Sequence, residues 1–265
     1  MMNEVIYVRR EEWLPQLPAL FGLAEFRERS GLSKDAAWQT CRYWTDSGRI
    51  RPFIRGMYLR KGWPLACPPV WHLAQCRAGE GYVTGMWALA WHGLVREYPP
   101  RLDLVVGDGQ RRSIHHEGTT VVFHRLSLNR SRRGIITVAD GGRSLQMAEP
   151  ERALLDCLAC PSLGGGLAQP AELLRSGKKR FRQFRLLDIL LDLDSETLRR
   201  RLRVLAEYAG MLRLTSWLEQ QRSAAGDRMG PVVLDPSRSS SPRDPLYRGV
   251  RINLPLLLPG LEGDH

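Results

Sequence analysis

The 265 residues exceed a lone DNA-binding module and suffice for two domains of ordinary size, while 43% hydrophobic and 25% charged residues allow a packed core and exclude wholesale disorder. Lysine and arginine outnumber aspartate and glutamate by 39 to 28, and the net charge of +11 suits a polyanionic partner, because each phosphate neutralised releases counterions. No apolar run approaches the roughly 20 residues that span a bilayer, Met1 to Arg10 lack the apolar core of a signal peptide, and five irregularly spaced cysteines argue against a disulfide framework, so a cytoplasmic chain with reduced thiols is expected.

The basic excess lies before residue 63 and after residue 175, with a nearly balanced middle. At the N-terminal end, Glu11 to Leu20 reads as one short helix broken by Pro15 and Pro18, and Leu23 to Ser30 as a two-turn helix. Gly31 permits a left-handed turn, and Ser33 is a good N-cap for a helix that runs to about Ser47 and stops at Gly48. On that helix Ala37, Cys41 and Trp44 recur at i, i+4 and i+7 and form the buried stripe. Lys34, Trp38, Gln39 and Arg42 fall away from it, with Tyr43 at its margin, and Asp35 suits the positive end of the helix dipole. Ile50 to Leu59 then reads as a hairpin turning at Arg55-Gly56, with Arg49, Arg51 and Arg55 along it and Arg60 and Lys61 just beyond.

Helix, turn, helix and basic hairpin is the layout of a winged helix-turn-helix over residues 1–62. In that geometry the second helix enters the major groove while the hairpin lays arginines on phosphate. Lys34, Trp38, Gln39, Arg42, Tyr43, Arg49, Arg51 and Arg55 are therefore the candidate contacts to double-stranded DNA. The plainer alternative is a packing or dimerisation module with Trp38 in its core.

Pro64 to Pro69 reads as a linker, followed by a short helix over Val70 to Arg77. Thr84 is placed to cap a helix carrying Met86, Leu89 and Ala90 on one face and ending near His92-Gly93. Strands are expected at Leu102–Val106, Thr119–Leu126 and Ile135–Ala139, and a helix opening at Pro150, whose missing N–H costs nothing there. Within it Arg152 and Asp156 form an i, i+4 pair, read as a structural salt bridge.

Further on, Leu198, Leu202, Leu205, Ala209 and Leu212 mark one helix face, and Leu214, Trp217 and Leu218 a second piece after Gly210. Arg199, Arg200 and Arg203 point away from the leucines and are read as an exposed basic ridge. With Lys178, Lys179, Arg180, Arg182 and Arg185 upstream, it offers further phosphate or partner contacts, set against a solvated amphipathic helix. Residues 222–245 read as a loop and Gly249 to Leu254 as a final strand. The whole is an α+β chain, residues 63–265 forming a larger domain of strands and helix (70–160), a helical portion (170–222) and a loop with a terminal strand (223–265).

No residue set completes an enzyme or metal site. His115, His116 and His124 read as surface or loop histidines, and Cys67, His72 and Cys76 lack the fourth ligand of a structural zinc site. Cys157-x-x-Cys160 sits at a helix C-terminus, where the dipole does not favour a thiolate, so both read as core thiols. Asp103, Asp108 and Asp140 have neither a catalytic lysine nor a nucleotide loop beside them, and Gly107-Asp108-Gly109 reads as a turn. Gly164-Gly165-Gly166 lacks the Lys-Ser/Thr of a phosphate loop and reads as a flexible linker. No metal, no cofactor and no catalytic activity are expected.

The hairpin IRGMYL (54–59), the stretch YVTGMWALAWHGL (82–94) with the Tyr98-Pro99-Pro100 turn, PERALLDCL (150–158) and LDPSRSSSPRDPLYRGVRIN (234–253) together resemble the AbiEi-type antitoxins of bacterial and archaeal type IV toxin–antitoxin systems and the regulators related to them. The likeness spans nearly the whole chain and is poorest over 160–185. It implies an N-terminal winged helix that binds operator repeats and represses its own operon. It further implies a C-terminal domain that counteracts a nucleotidyltransferase-like toxin, in a family not known for enzymes.

Overall fold

The computed structural model describes residues 10–63, 65–107, 112–126, 131–221 and 230–254, and the fold is α+β. The expected turn at Asp108 and the first eight residues of the 222–245 loop lie outside these. The chain divides into two compact units, Met1–Arg77 with Thr137–Leu145, and Ala78–Ile136 with Gln146–His265. The first unit thus runs past residue 62 and takes in the tip of a distant hairpin.

In the first unit a helical turn over residues 10–13 (α1) passes into a 3-10 turn, Leu14–Gln16, where Pro15 ends the helix. Strand β1 (Leu20–Gly22), helix α2 (Leu23–Ser30), helix α3 (Lys34–Asp46) and strands β2 (Ile50–Ile54) and β3 (Met57–Arg60) follow. Gly31 turns the chain out of α2 at φ 68°, and the Ser33 hydroxyl accepts from the Ala36 N–H to cap α3. The three strands pair antiparallel in the order β1-β3-β2. Strand β1 falls at the junction of the two helices expected over Glu11–Leu20 and Leu23–Ser30, where no strand is expected from the sequence, because three residues hold too few alternations to register as period two.

Phe21, Phe26, Ala37, Cys41, Trp44 and Ile50 form the core here, with the Phe26 and Trp44 rings 5.1 Å apart. Of the expected linker Pro64 lies outside the described residues, and 65–69 are not free: the Ala66 and Cys67 N–H groups donate to Asp140 at 3.0 and 2.8 Å, and Cys67 is buried ahead of helix α4 (Pro69–Ala78). Asp140 also holds His72 Nε2 at 2.9 Å, which makes His72 a buried structural residue. Arg143 donates to the Leu20 carbonyl and pairs with Glu25, joining the hairpin tip to β1 and α2.

The second unit contains β4 (Tyr82–Thr84), α5 (Gly85–Trp91), β5 (Arg101–Val105), β6 (Ile114–His116) and β7 (Thr119–His124). With β8 (Ile135–Asp140) and β9 (Arg143–Ala148) they make a six-stranded sheet of order β6-β7-β5-β4-β9-β8, in which β4–β9 and β5–β7 are parallel. Helix α6 (Pro150–Ala159) is buried from Glu151 to Leu158 and packs against α5, α8 (Gln183–Leu193) and α9 (Glu196–Tyr208). Helices α7 (Ala168–Ser176) and α10 (Leu212–Gln220) complete the helical layer.

Thr84 precedes α5 without capping it. Its hydroxyl donates 2.7 Å to Asp156, which also accepts from Tyr82 at 3.1 Å and Arg152 at 2.9 Å. Arg152 and Asp156 are fully buried, and Arg152 satisfies its remaining donors on Tyr82 and the Ser131 and Arg133 carbonyls. Segments 82–94 and 150–158 thus meet in one polar knot. A buried charge pair persists only when its remaining donors and acceptors are also met, as they are here.

Nor is the glycine run a loose linker. Pro161–Gly164 forms a 3-10 turn, and the Leu167 N–H beyond it donates 2.9 Å to buried Asp235. Asp235 is locked in turn by Asn253, so the segment read as a loop closes a small sheet of β10 (Val232–Val233), β11 (Leu246–Tyr247) and β12 (Val250–Arg251). Among the described residues no helix is long and apolar enough to cross a membrane.

Candidate nucleic-acid interface

At about 100° per residue, Lys34, Trp38, Gln39 and Arg42 fall within an arc of about 140° on α3, opposite Ala37, Thr40, Cys41 and Trp44. The structure keeps all four on the surface: Lys34, Gln39 and Arg42 are exposed and Trp38 is 49% exposed, so Trp38 is not a core residue. The Arg42 guanidinium lies 5.7 Å from the Trp38 ring centroid and 3.9 Å from Asp46, a pair exposed enough to yield to a stronger anion. An indole and a guanidinium side by side offer a stacking plane and a bidentate donor, the two devices by which side chains engage base edges and sugars.

The hairpin lies in the same unit. Arg51 is exposed on β2, its guanidinium 5.8 Å from the Phe53 ring, and Arg55 is exposed at the turn, where Gly56 adopts φ 76°. Two other cations of the basic group serve the fold. Arg49 pairs with Glu11 and sits over the Tyr43 ring at 5.9 Å. Arg60 donates 2.7 Å to the Leu17 carbonyl and stacks on Trp63 at 3.9 Å. Tyr43, half-buried, therefore acts as a shelf for Arg49.

In the second unit the expected arginine ridge is corrected. Arg199 and Arg203 are 7% and 6% exposed. Arg199 makes a two-pronged contact with Glu196 and donates 2.9 Å to the Leu218 carbonyl; Arg200 bonds Glu196 at 2.9 Å; Arg203 pairs with Glu219 and Glu207. The side of α9 opposite its leucines is covered by α10 and by β10 and β12, so these guanidinium groups are internal ties. Lys178, Lys179 and Arg180 do remain exposed, with Lys178 3.3 Å from the Ala209 carbonyl and Arg180 3.3 Å from the His92 carbonyl. Arg182 and Arg185 are drawn onto Glu149, which they hold below the usual carboxylate range, the Arg185 hydrogen bond being the largest cause.

Reading residues by type missed one constellation. His124 is not a surface histidine: its side chain is 13% exposed, and Nε2 lies 2.6 Å from Asp103, which Arg101 holds at 2.7 Å. The same Nε2 lies 3.1 Å from the Arg101 guanidinium. The only signal in the sequence was Arg101-x-Asp103 on one face of a strand. Among the described residues no group of three or more His, Cys, Asp or Glu is placed to hold a metal ion.

No family model matches the chain, and no curated protein matches it. Among solved structures the chain is similar to the RV2827C protein from Mycobacterium tuberculosis, with 16% sequence identity and a TM-score of 0.58 over 99% of this chain and 94% of that one. At that identity the likeness is one of fold, and it runs along nearly the full length of both chains.

Proposed function

We propose that this chain is a cytoplasmic DNA-binding transcriptional repressor and antitoxin of AbiEi type, with no reaction of its own. In this reading α2, the Gly31 turn and α3 form the helix-turn-helix of a winged helix and β2–β3 its wing. Helix α3 enters the major groove with Lys34, Trp38, Gln39 and Arg42 toward base edges and sugars, while Arg51 and Arg55 reach phosphate. Repression is steric, the bound protein covering its own promoter at operator repeats. What carries the reading is the exposed face of α3, where Lys34, Trp38, Gln39 and Arg42 stand opposite the buried stripe of Ala37, Thr40, Cys41 and Trp44, in one unit with a basic hairpin. A gel shift compares duplex DNA upstream of the gene with random duplex of equal length. Preferential binding that Gln39→Ala and Arg42→Ala weaken supports the reading, and equal binding to both duplexes refutes it.

A second reading is favoured by a separate observation. Phe184 on α8 and Leu212 on α10 are 71% and 77% exposed, and Phe184 stacks edge-on against Trp217 with ring centroids 6.4 Å apart. Large apolar side chains left in water on adjoining helices mark a protein-binding face. In the second reading this face neutralises a nucleotidyltransferase-like toxin without specific DNA binding. The two roles are compatible in one chain. Co-purification with a toxin encoded beside the gene, lost in Phe184→Asp/Leu212→Asp, supports it.

A further inference from the structure

The outer face of α3 presents an aromatic ring and a guanidinium as one unit. Among the described residues, Trp38 and Trp63 are the large apolar side chains left exposed in the first unit. Trp63 is capped by Arg60, whose guanidinium lies 3.9 Å from the ring centroid. Trp38 is not sealed in this way: the Arg42 guanidinium stands off at 5.7 Å, and the Arg42 side chain is itself exposed. The two residues are one helical turn apart, about 6 Å along the axis, and so leave the same face as neighbours. Asp46, a further turn on and 3.9 Å from Arg42, draws the guanidinium along that face from the other side. A side chain already held in line loses less freedom on binding.

A duplex shows its major groove only the edges of the bases, since neighbouring bases cover their faces. An indole laid there finds one apolar group, the methyl on C5 of thymine or of 5-methylcytosine, while a guanidinium finds its best paired acceptors in guanine O6 and N7. Successive bases lie about 3.4 Å apart along the duplex, so bases two steps apart are separated by about 6.8 Å. The 5.7 Å between guanidinium and ring is shorter than that and suits adjacent bases. Steps from pyrimidine to purine unstack most easily, which lets the ring edge over the methyl while the guanidinium lies in the plane of the guanine. Exposed Lys34, one turn before Trp38, and Arg51 and Arg55 on the hairpin supply positive charge complementary to a duplex.

We propose that Trp38 and Arg42 together read a C5-methylated pyrimidine directly 5′ of a guanine, the indole on the methyl and the guanidinium on the guanine. Binding at this step then depends on the methyl group itself, whether thymine carries it or a methylated cytosine. The inference rests on the DNA-binding reading and adds to it the ligand of one pair of side chains.

The full-length protein is first used to select from a library of randomised duplexes, and the enriched sequence should contain a thymine followed by guanine. Two pairs of duplexes are then built on that sequence, one with thymine or uracil at the step and one with 5-methylcytosine or cytosine. Within each pair the only difference is a methyl group. Fluorescence anisotropy at a single salt concentration should show about four-fold weaker binding without it, the worth of one buried methyl. An effect in both pairs assigns the site to a methylated step of either kind, and an effect in the first pair alone assigns it to thymine. Trp38→Ala should bind both members of a pair alike. Replacing the guanine by 7-deazaguanine, which removes only the N7 acceptor, should weaken the unaltered protein and leave Arg42→Ala unaffected. The paired duplexes on the unaltered protein carry the test even if a variant folds poorly. An enriched sequence with no thymine–guanine step, equal binding of the unaltered protein within both pairs, or a methyl effect that Trp38→Ala retains overturns the inference and leaves the DNA-binding reading standing. A library from which no sequence is enriched overturns that reading and the inference with it.

Discussion

The salt dependence of DNA binding separates the roles assigned to the first unit. Of its cations, Arg49 is engaged by Glu11 and Arg60 by the Leu17 carbonyl and the Trp63 ring, which leaves Lys34, Arg42, Arg51 and Arg55 exposed on α3 and the hairpin. Each phosphate neutralised contributes about −0.9 to the slope of log K against log salt, so four contacts give about −3.6 per bound chain. Raising salt from about 50 to about 200 mM then weakens binding on the order of 10²-fold. Arg55→Ala removes one charge from the tip of the hairpin, and the slope should flatten to about −2.7 on operator and random duplex alike. Gln39→Ala removes no charge. It should leave the slope untouched and reduce discrimination between the two duplexes by about 1–3 kcal/mol, the worth of one bidentate base contact. Fluorescence anisotropy titrations at four salt concentrations measure both quantities. A slope unchanged by Arg55→Ala, or flattened by Gln39→Ala, would refute the division of labour between hairpin and helix.

Three further outcomes rest on the fold itself. Arg152→Met leaves the Asp156 carboxylate buried without its ion pair and should cost about 3–5 kcal/mol in urea unfolding; the double variant Arg152→Met/Asp156→Leu should recover part of that, and a double variant as unstable as the single one would contradict the account. Ser33→Ala removes the cap of α3 and should cost about 1 kcal/mol, whereas Ser33→Asp, which keeps an acceptor for the Ala36 N–H, should cost little; equal losses would mean the cap is not the cause. His124 is raised to about 9 in the folded protein, with Asp103, Arg101 and Cys160 as its charged and titratable neighbours. Its stabilising contribution is full below about pH 6.5, declines as pH rises from there to about 9, and is absent above. Stability of the unaltered protein relative to His124→Gln should fall by on the order of 3 kcal/mol across that window, and a difference flat with pH would rule the reading out.

How far the sequence could be read depended on whether the signal was local. Ala37, Cys41 and Trp44 announce the buried side of α3 because their spacing is that of a single helix turn, and Ser33 and Gly31 mark its start by backbone preferences confined to a few residues. The same logic failed on α9. Arg199, Arg200 and Arg203 stand off the leucine stripe as solvent-facing residues should, but that side is covered by α10, β10 and β12, and periodicity within one helix carries no information about what folds over it. Carboxylates nearby give the same warning in retrospect: Glu196 and Glu207 stand one helical turn from the arginines, a spacing that allows pairing within α9. The Arg101–Asp103–His124 cluster was invisible for the same reason, since parallel pairing of β5 with β7 brings it together from two separate strands.

That asymmetry changes the meaning of the net charge. A surplus of +11 invites the inference that basic segments at both ends face a polyanion. In the second unit, however, Arg133 is held by Asp188 and Asp192, Arg185 by Glu149 and Asp188, and Arg199, Arg200 and Arg203 by glutamates on α9 and α10. A guanidinium tied to a carboxylate releases few counterions when a phosphate approaches, because the pair must first be broken. On α3 the Arg42–Asp46 pair, at 3.9 Å with both side chains largely in water, is a weaker tie than these. Composition alone divides the excess between the two ends, but pairing shifts its effective part toward the first unit. The physical case for a nucleic-acid partner therefore rests on a few side chains of one helix and one hairpin, and not on the arginine content of the chain.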